Sequence, residues 1–139
     1  MAVPFKMDLT GKVAAVTGGG GVLGSYFAKA LAECGAKVAV MDLMQEAADK
    51  VAAEINAAGG TAIGVAANVL DKEALEAARE IVIKELGTVD ILVNNAGITK
   101  DGLMLRMTEQ QWDAVLTVNL KSAFNFIHAC APIMMRQRG

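Results

Sequence analysis

The sequence predicts an α/β fold, a doubly wound parallel sheet with expected strand order 3-2-1-4, truncated after its fourth helix. Three observations predict it. Short valine-rich runs recur along the chain, as in strands covered on both faces. Stretches with helical apolar spacing separate them, and parallel strands need such right-handed crossovers. A glycine-rich turn joins the first strand to the first helix.

The strands come first. Residues 12–17 (KVAAVT), 37–42 (KVAVMD) and 89–93 (VDILV) are continuous apolar runs, and 61–66 (TAIGVA) is a weaker one because of Gly64. In the first helix Leu23, Phe27, Leu31 and Cys34 share one face, and Gly35 stops it. Ala48, Val51, Ile55 and Ala58 do the same in the second, before Gly59 and Gly60. Asp71 caps a third helix with Leu75, Ala78 and Val82 inward, ending at Gly87. Thr108 and Gln111 form a capping box for a fourth. Its expected inward stripe is Trp112, Val115, Leu116, Leu120, Ala123 and Ile127, and Pro132 is expected to kink or end it.

Composition narrows the function. The 139 residues suggest one domain. Hydrophobic residues make up 54%, yet no window approaches the roughly 20 unbroken apolar residues of a membrane span. Lys6 and Asp8 near the start, with no apolar run, argue against a secretory signal. A net charge of −2 without a basic block makes nucleic acid and anionic membranes poor partners. Cys34 and Cys130 belong to no metal-ligand cluster, so no metal is expected. Both read as small core residues, and a reducing cytoplasm is the default home.

The strongest local signal is TGGGGVLG, Thr17 to Gly24. Gly19, Gly21 and Gly24 satisfy G-x-G-x-x-G in the context that motif needs, after a strand and opening a helix. Free N–H groups and the helix dipole favour a pyrophosphate there. Asp42 ends the second strand, 18 residues after Gly24. A carboxylate at that point accepts from the adenosine ribose hydroxyls and repels a 2′-phosphate, and no arginine lies near to welcome one. NAD(H) is therefore favoured over NADP(H). Alone, either feature also fits a flexible turn or a helix-capping aspartate.

With NV at 68–69, DILVNNAG at 90–97 and VN at 118–119, these pieces resemble the short-chain dehydrogenases/reductases from about Asp8 to Gly139. The resemblance implies a Rossmann-type sheet and a hydride transfer between nicotinamide and an alcohol or ketone. It implies that Thr17, Gly18, Gly19, Gly20, Gly21, Val22, Leu23 and Gly24 hold the pyrophosphate. Asn68 and Val69 would flank the adenine, with asparagine replacing the usual aspartate. Asn95, Ala96 and Gly97 would line the adenosine and ribose side. Asn119 would be the catalytic asparagine that holds a proton-relay water. Its place in the apolar stripe also demands a polar partner, which a structural asparagine would equally have. Val22 departs from the family pattern, which has glycine there, and its Cβ would crowd the cofactor unless φ is negative. The GGGGVLG variant looks like that of sugar-acid reductases acting on mannonate or fructuronate. Residues 94–124 look instead like 3-oxoacyl-carrier-protein reductases.

The family's chemistry also needs a serine and a Tyr-x-x-x-Lys. Within this sequence the one tyrosine is Tyr26, position 30 is alanine, and Ser25 and Ser122 lie in predicted helices. The catalytic segment is expected after Gly139, so this chain should bind cofactor better than it reduces anything. The fourth strand then forms a sheet edge, which predicts a homo-oligomer, a swapped arrangement or a complementing fragment. His128 reads as a structural or surface residue, and Lys100 and Asp101 stand where the resemblance places the start of a substrate-side loop but equally fit solvated charges. Met104, Met107, Met134 and Met135 read as packing.

Overall fold

The computed structural model describes residues 7–138, so Lys6 and Gly139 lie outside it. The strands are β1 (Val13–Thr17), β2 (Lys37–Asp42), β3 (Thr61–Ala66) and β4 (Ile91–Val93). They form one parallel sheet in the order β3-β2-β1-β4, as expected. The crossovers are α1 (Val22–Glu33), α2 (Gln45–Ala57) and α3 (Lys72–Leu86). After β4 come a single 3₁₀ turn (Met104–Arg106) and a long helix in three pieces. These are α4 (Glu109–Leu116), a π turn (Thr117–Lys121) and α5 (Ser122–Gln137). Among the described residues no helix is long and apolar enough to cross a membrane.

Alternation along each strand feeds two cores. Val16, Val38 and Val40 pack with Ala28, Ala48, Val51 and Ile55 under α1 and α2. Val13, Met41 and Val65 pack with Leu75, Val82, Phe126 and Cys130 under α3 and α5. Covering both faces explains why the strands read as unbroken apolar runs. Asp71 accepts from Ala74 N–H at 3.1 Å, Gly87 ends α3 at φ +101°, and the Thr108–Gln111 capping box forms.

Several expected faces are corrected. In α1 the buried residues are Gly24 and Ala28, while Leu23 and Phe27 are 65% and 42% exposed. The helix lies too close to the sheet for large side chains: a Cβ on Gly24 would stand 2.1 Å from the Gly18 carbonyl oxygen. Cys34 is half-buried and Ala58 is exposed. In the last helix the inward face is Ser122, Asn125, Phe126, Ala129 and Cys130. Trp112, Leu116, Leu120 and Ile127 point outward. A π turn carries more residues than an α turn, so it retards the phase of the helix beyond it. The larger side chains also lie on the outer face, which misleads a reading by hydrophobicity. Pro132 does not end the helix, which runs on to Gln137. Met104 and Met135 are exposed, while Met134 packs on the core as expected.

Candidate functional site

The parallel register brings the carboxyl ends of β1, β2 and β3 to one edge, with Thr17 opposite Met41 and Asp42 opposite Ala66. Loops leaving these ends enclose a cleft of about 450 Å³. Gly18, Asp42, Asn68, Val69, Ala96 and Gly97 line it, all singled out from sequence, together with Met41, Leu43, Ile98 and Val118. Ligands of open α/β sheets bind at this place, where the strand order reverses.

The glycine turn is shaped by contacts with its own protein. Gly18 adopts φ +63°. A Cβ on Gly20 would meet Ala47 Cβ at 2.7 Å and Asp42 Oδ2 at 2.9 Å, so the turn must press against the end of β2. Gly21 is the N-cap of α1 and has no side chain to offer, which leaves the first N–H groups of α1 open to an anion. Its own Cβ would meet nothing closer than 3.4 Å, so packing does not demand glycine there. Val22 opens α1, and Arg138 is the one non-glycine among the described residues with positive φ. The Val22 Cβ therefore carries no strain, and its side chain and that of Leu23 are exposed.

Thr17 sits differently from the rest of its motif. It is 2% exposed, and its hydroxyl accepts from Asn95 N–H and Ala96 N–H at 3.1 Å each. It also donates to the Val93 carbonyl. Thr17 thus braces the loop after β4 against β1 and has no surface to give a phosphate. Asn95 Nδ2 donates to the Gly18 carbonyl at 3.3 Å, tying that loop to the glycine turn.

Asp42 Oδ2 accepts from Gly20 N–H and Oδ1 from Met44 N–H, both at 3.1 Å. Each oxygen keeps a lone pair for another donor. Among the described residues no lysine or arginine lines the cleft. Asn68 Oδ1 accepts from Leu70 N–H in a local turn, and Val69 accepts from Asn125 Nδ2. Asn119 is exposed, outside the stripe expected for it. Its amide grips one residue at both ends: Oδ1 accepts from Ile98 N–H at 2.7 Å, and Nδ2 donates to the Ile98 carbonyl at 3.0 Å. Gly97 makes room for that grip, since its Cβ would lie 3.1 Å from Asn119 Oδ1.

Asn125 and Ile98 had no place in the sequence reading. Asn125 lies between Ser122 and Ala129 at helical spacing, a stripe hidden by the larger residues on the opposite face. Tyr26 lies on α1, 53% exposed and not among the residues lining the cleft. His128 is exposed and stacks near Phe124, with ring centroids 5.8 Å apart. Burial pushes the Cys130 thiol up to about 11. Among the described residues no His/Cys/Asp/Glu cluster could hold a metal.

The family model described as short chain dehydrogenase matches residues 12–139. The chain belongs to the short-chain dehydrogenase family. Within it, a 3-oxoacyl-(acyl-carrier-protein) reductase of Staphylococcus aureus is 44% identical over 128 residues, 91% of this chain and 52% of that protein. The same-named reductase of Thermotoga maritima is 39% identical over 132 residues, 95% of this chain and 54% of that protein. A peroxisomal multifunctional enzyme type 2 of Drosophila melanogaster is 43% identical over 141 aligned residues, 95% of this chain and 23% of that protein. The chain spans about half the length of the two reductases it matches. Short-chain dehydrogenases use a nicotinamide dinucleotide, and the cleft can be tested against that group. Beside the cleft, the helix N-terminus has no side-chain cap and a Cβ on Gly21 would meet only the Gly18 carbonyl oxygen, at 3.4 Å; with the Asp42 carboxylate in the cleft lining, these features suit a pyrophosphate and a ribose.

Proposed function

We propose that residues 1–139 form the dinucleotide-binding domain of an oxidoreductase that moves hydride between nicotinamide and an alcohol or ketone. One observation carries this reading: a single cleft gathers Gly18, Asp42, Asn68, Val69, Ala96 and Gly97 beside the open N-terminus of α1. The N–H groups of Val22, Leu23 and Gly24 would take the pyrophosphate. Asp42 would accept from the adenosine ribose. Asn68 and Val69 would flank the adenine, while Asn95, Ala96 and Gly97 form the ribose wall. When bound, the nicotinamide supplies or takes the hydride.

Asn119 stands where a proton-relay water is expected. Its amide is committed to Ile98, so its side chain holds the wall and contact with water falls to its backbone. The substrate is a small carbonyl or alcohol. The likeness to 3-oxoacyl reductases favours an acyl thioester, and the glycine turn favours a sugar acid.

We further propose NAD(H) over NADP(H), because a 2′-phosphate would meet the Asp42 carboxylate with no cation among the described residues that line the cleft. The likeness to the reductases does not support this preference, which rests on Asp42 alone. Titration of the chain with NADH, followed by fluorescence, is expected to saturate. NADPH should bind at least about tenfold more weakly, and Asp42→Ala should close most of that gap. No saturable binding at millimolar NADH would overturn the reading.

A second reading, a nucleotide-binding module without turnover, draws on the position of Tyr26 outside the cleft lining and on Ala30 four residues later. Ketone reduction by these residues alone at rates normal for a reductase would exclude it.

A further inference from the structure

We propose that Asn125 is a positioning residue for the adenine side of the cleft, holding the loop after β3 in place through the Val69 carbonyl. This rests on the dinucleotide reading. Asn125 projects from α5 and is 3% exposed. Its Nδ2 donates to the Val69 carbonyl at 3.2 Å, across 56 positions of sequence. The other bonds of this loop are local: Leu70 N–H to Asn68 Oδ1 and Asp71 N–H to the Asn68 carbonyl. Among the described residues no other hydrogen bond ties residues 68–70 to another element.

Asn125 pays for this position, because its Oδ1 is buried without a partner. Rotating the amide would set Oδ1 against the Val69 carbonyl, two acceptors face to face, so the observed orientation is the one that bonds. A leucine would keep the number of side-chain heavy atoms and leave no unsatisfied oxygen. What the asparagine adds is the tether. One turn earlier Ser122 Oγ donates to the Val118 carbonyl, and Val118 also lines the cleft. Asn119, in the π turn of the same helix, grips Ile98 on the facing wall. The helix thus holds both walls, Ile98 by one asparagine and Val69 by another. π turns of this kind are frequent at functional sites.

The test uses ADP-ribose, which carries the adenosine and pyrophosphate without nicotinamide. Asn125→Leu should weaken ADP-ribose and NADH about fivefold, the worth of one neutral hydrogen bond, with an unchanged or higher melting temperature. A merely structural asparagine would show the opposite pattern, lowered melting with affinity falling only as the protein unfolds, and that result overturns the proposal. Wild-type affinity in the variant also overturns it. Asn125→Asp covers the case in which the leucine variant does not fold. Its protonated carboxyl can donate to Val69 and its carboxylate cannot, so ADP-ribose affinity should recover as the pH is lowered. Flat affinity across that titration counts against the tether. Failure of the unsubstituted chain to bind either ligand would sink the dinucleotide reading and this inference with it. Equal binding by wild type and variants would sink this inference alone.

Discussion

At β3 the outermost strand meets two side-chain amides of α2, whereas among the described residues no side-chain amide bonds β4, whose Val93 carbonyl accepts from the Thr17 hydroxyl. Asn56 accepts from Ala62 N–H at 2.8 Å and donates to the Ala62 carbonyl at 3.0 Å. Gln45 donates to the Gly64 carbonyl and accepts from Ala66 N–H. The two amides stand in for a neighbouring strand, which removes the unpaired row that makes an edge adhesive. Among the described residues no side chain bonds the backbone of Ile91 in this way. Apolar grooves flank β4 instead. Phe27, Leu31 and Val93 line one of about 300 Å³, and Leu92, Ile127 and Met134 another of about 340 Å³. Trp112, Leu116, Leu120 and Phe124 add exposed apolar surface nearby in sequence. The sheet is finished on one side with polar groups and left on the other with exposed apolar surface.

The largest effect should come from breaking the finished side at Gly64. A Cβ there would stand 2.3 Å from Asp49 Oδ1 and 2.8 Å from its backbone nitrogen. Gly64→Ala should therefore cost about 3 kcal/mol in urea unfolding, at the upper end of overpacking penalties. A variant as stable as wild type would mean that α2 yields easily. Asn56→Leu comes next. It leaves both backbone groups of buried Ala62 unpaired, so a loss of about 1–3 kcal/mol is expected, with faster aggregation. A loss below roughly 0.5 kcal/mol would show that the amide does not close the edge.

On the open side, Leu120→Glu should change stability by no more than about 0.5 kcal/mol, because Leu120 is exposed. It should nevertheless shift sedimentation toward monomer. An unchanged sedimentation profile would remove this face from any self-association. The smallest effect is chemical. Cys130 borders the groove beside β4 yet is fully buried, and burial raises its thiol from 9.0 to about 11. The unfolded chain then loses that proton first, so stability should decline as pH rises between these two values. At neutral pH a thiol reagent should label half-buried Cys34 well before Cys130. The reverse order would mean that this side opens readily.

The same contrast runs through what could be read in advance. The half of the chain up to Gly87 was legible: strands, caps and the inward residues of α2 and α3 obey local rules of periodicity and turn chemistry. The cleft was legible too, because Gly18, Asp42, Asn68, Val69, Ala96 and Gly97 stand at strand ends that any parallel register gathers. The faces of α1 and of the last helix were not. Both were assigned by placing the largest apolar side chains inward, but α1 turns small residues to its neighbours and the last helix buries Phe126 among small and polar residues while Trp112, Leu116, Leu120 and Ile127 stay outside. Thr17 was placed in the phosphate turn, but its hydroxyl is spent on the loop after β4.

The order of elements, the parallel sheet and the chemistry of the glycine turn were set by the sequence alone, since each depends on residues close together in the chain. Tertiary structure alone decided which faces of α1 and of the last helix are buried, that Asn119 grips Ile98 and that Asn125 holds Val69. Those outcomes depend on how near two elements approach and on the phase a π turn imposes. Neither distance nor phase is written in the spacing of apolar residues.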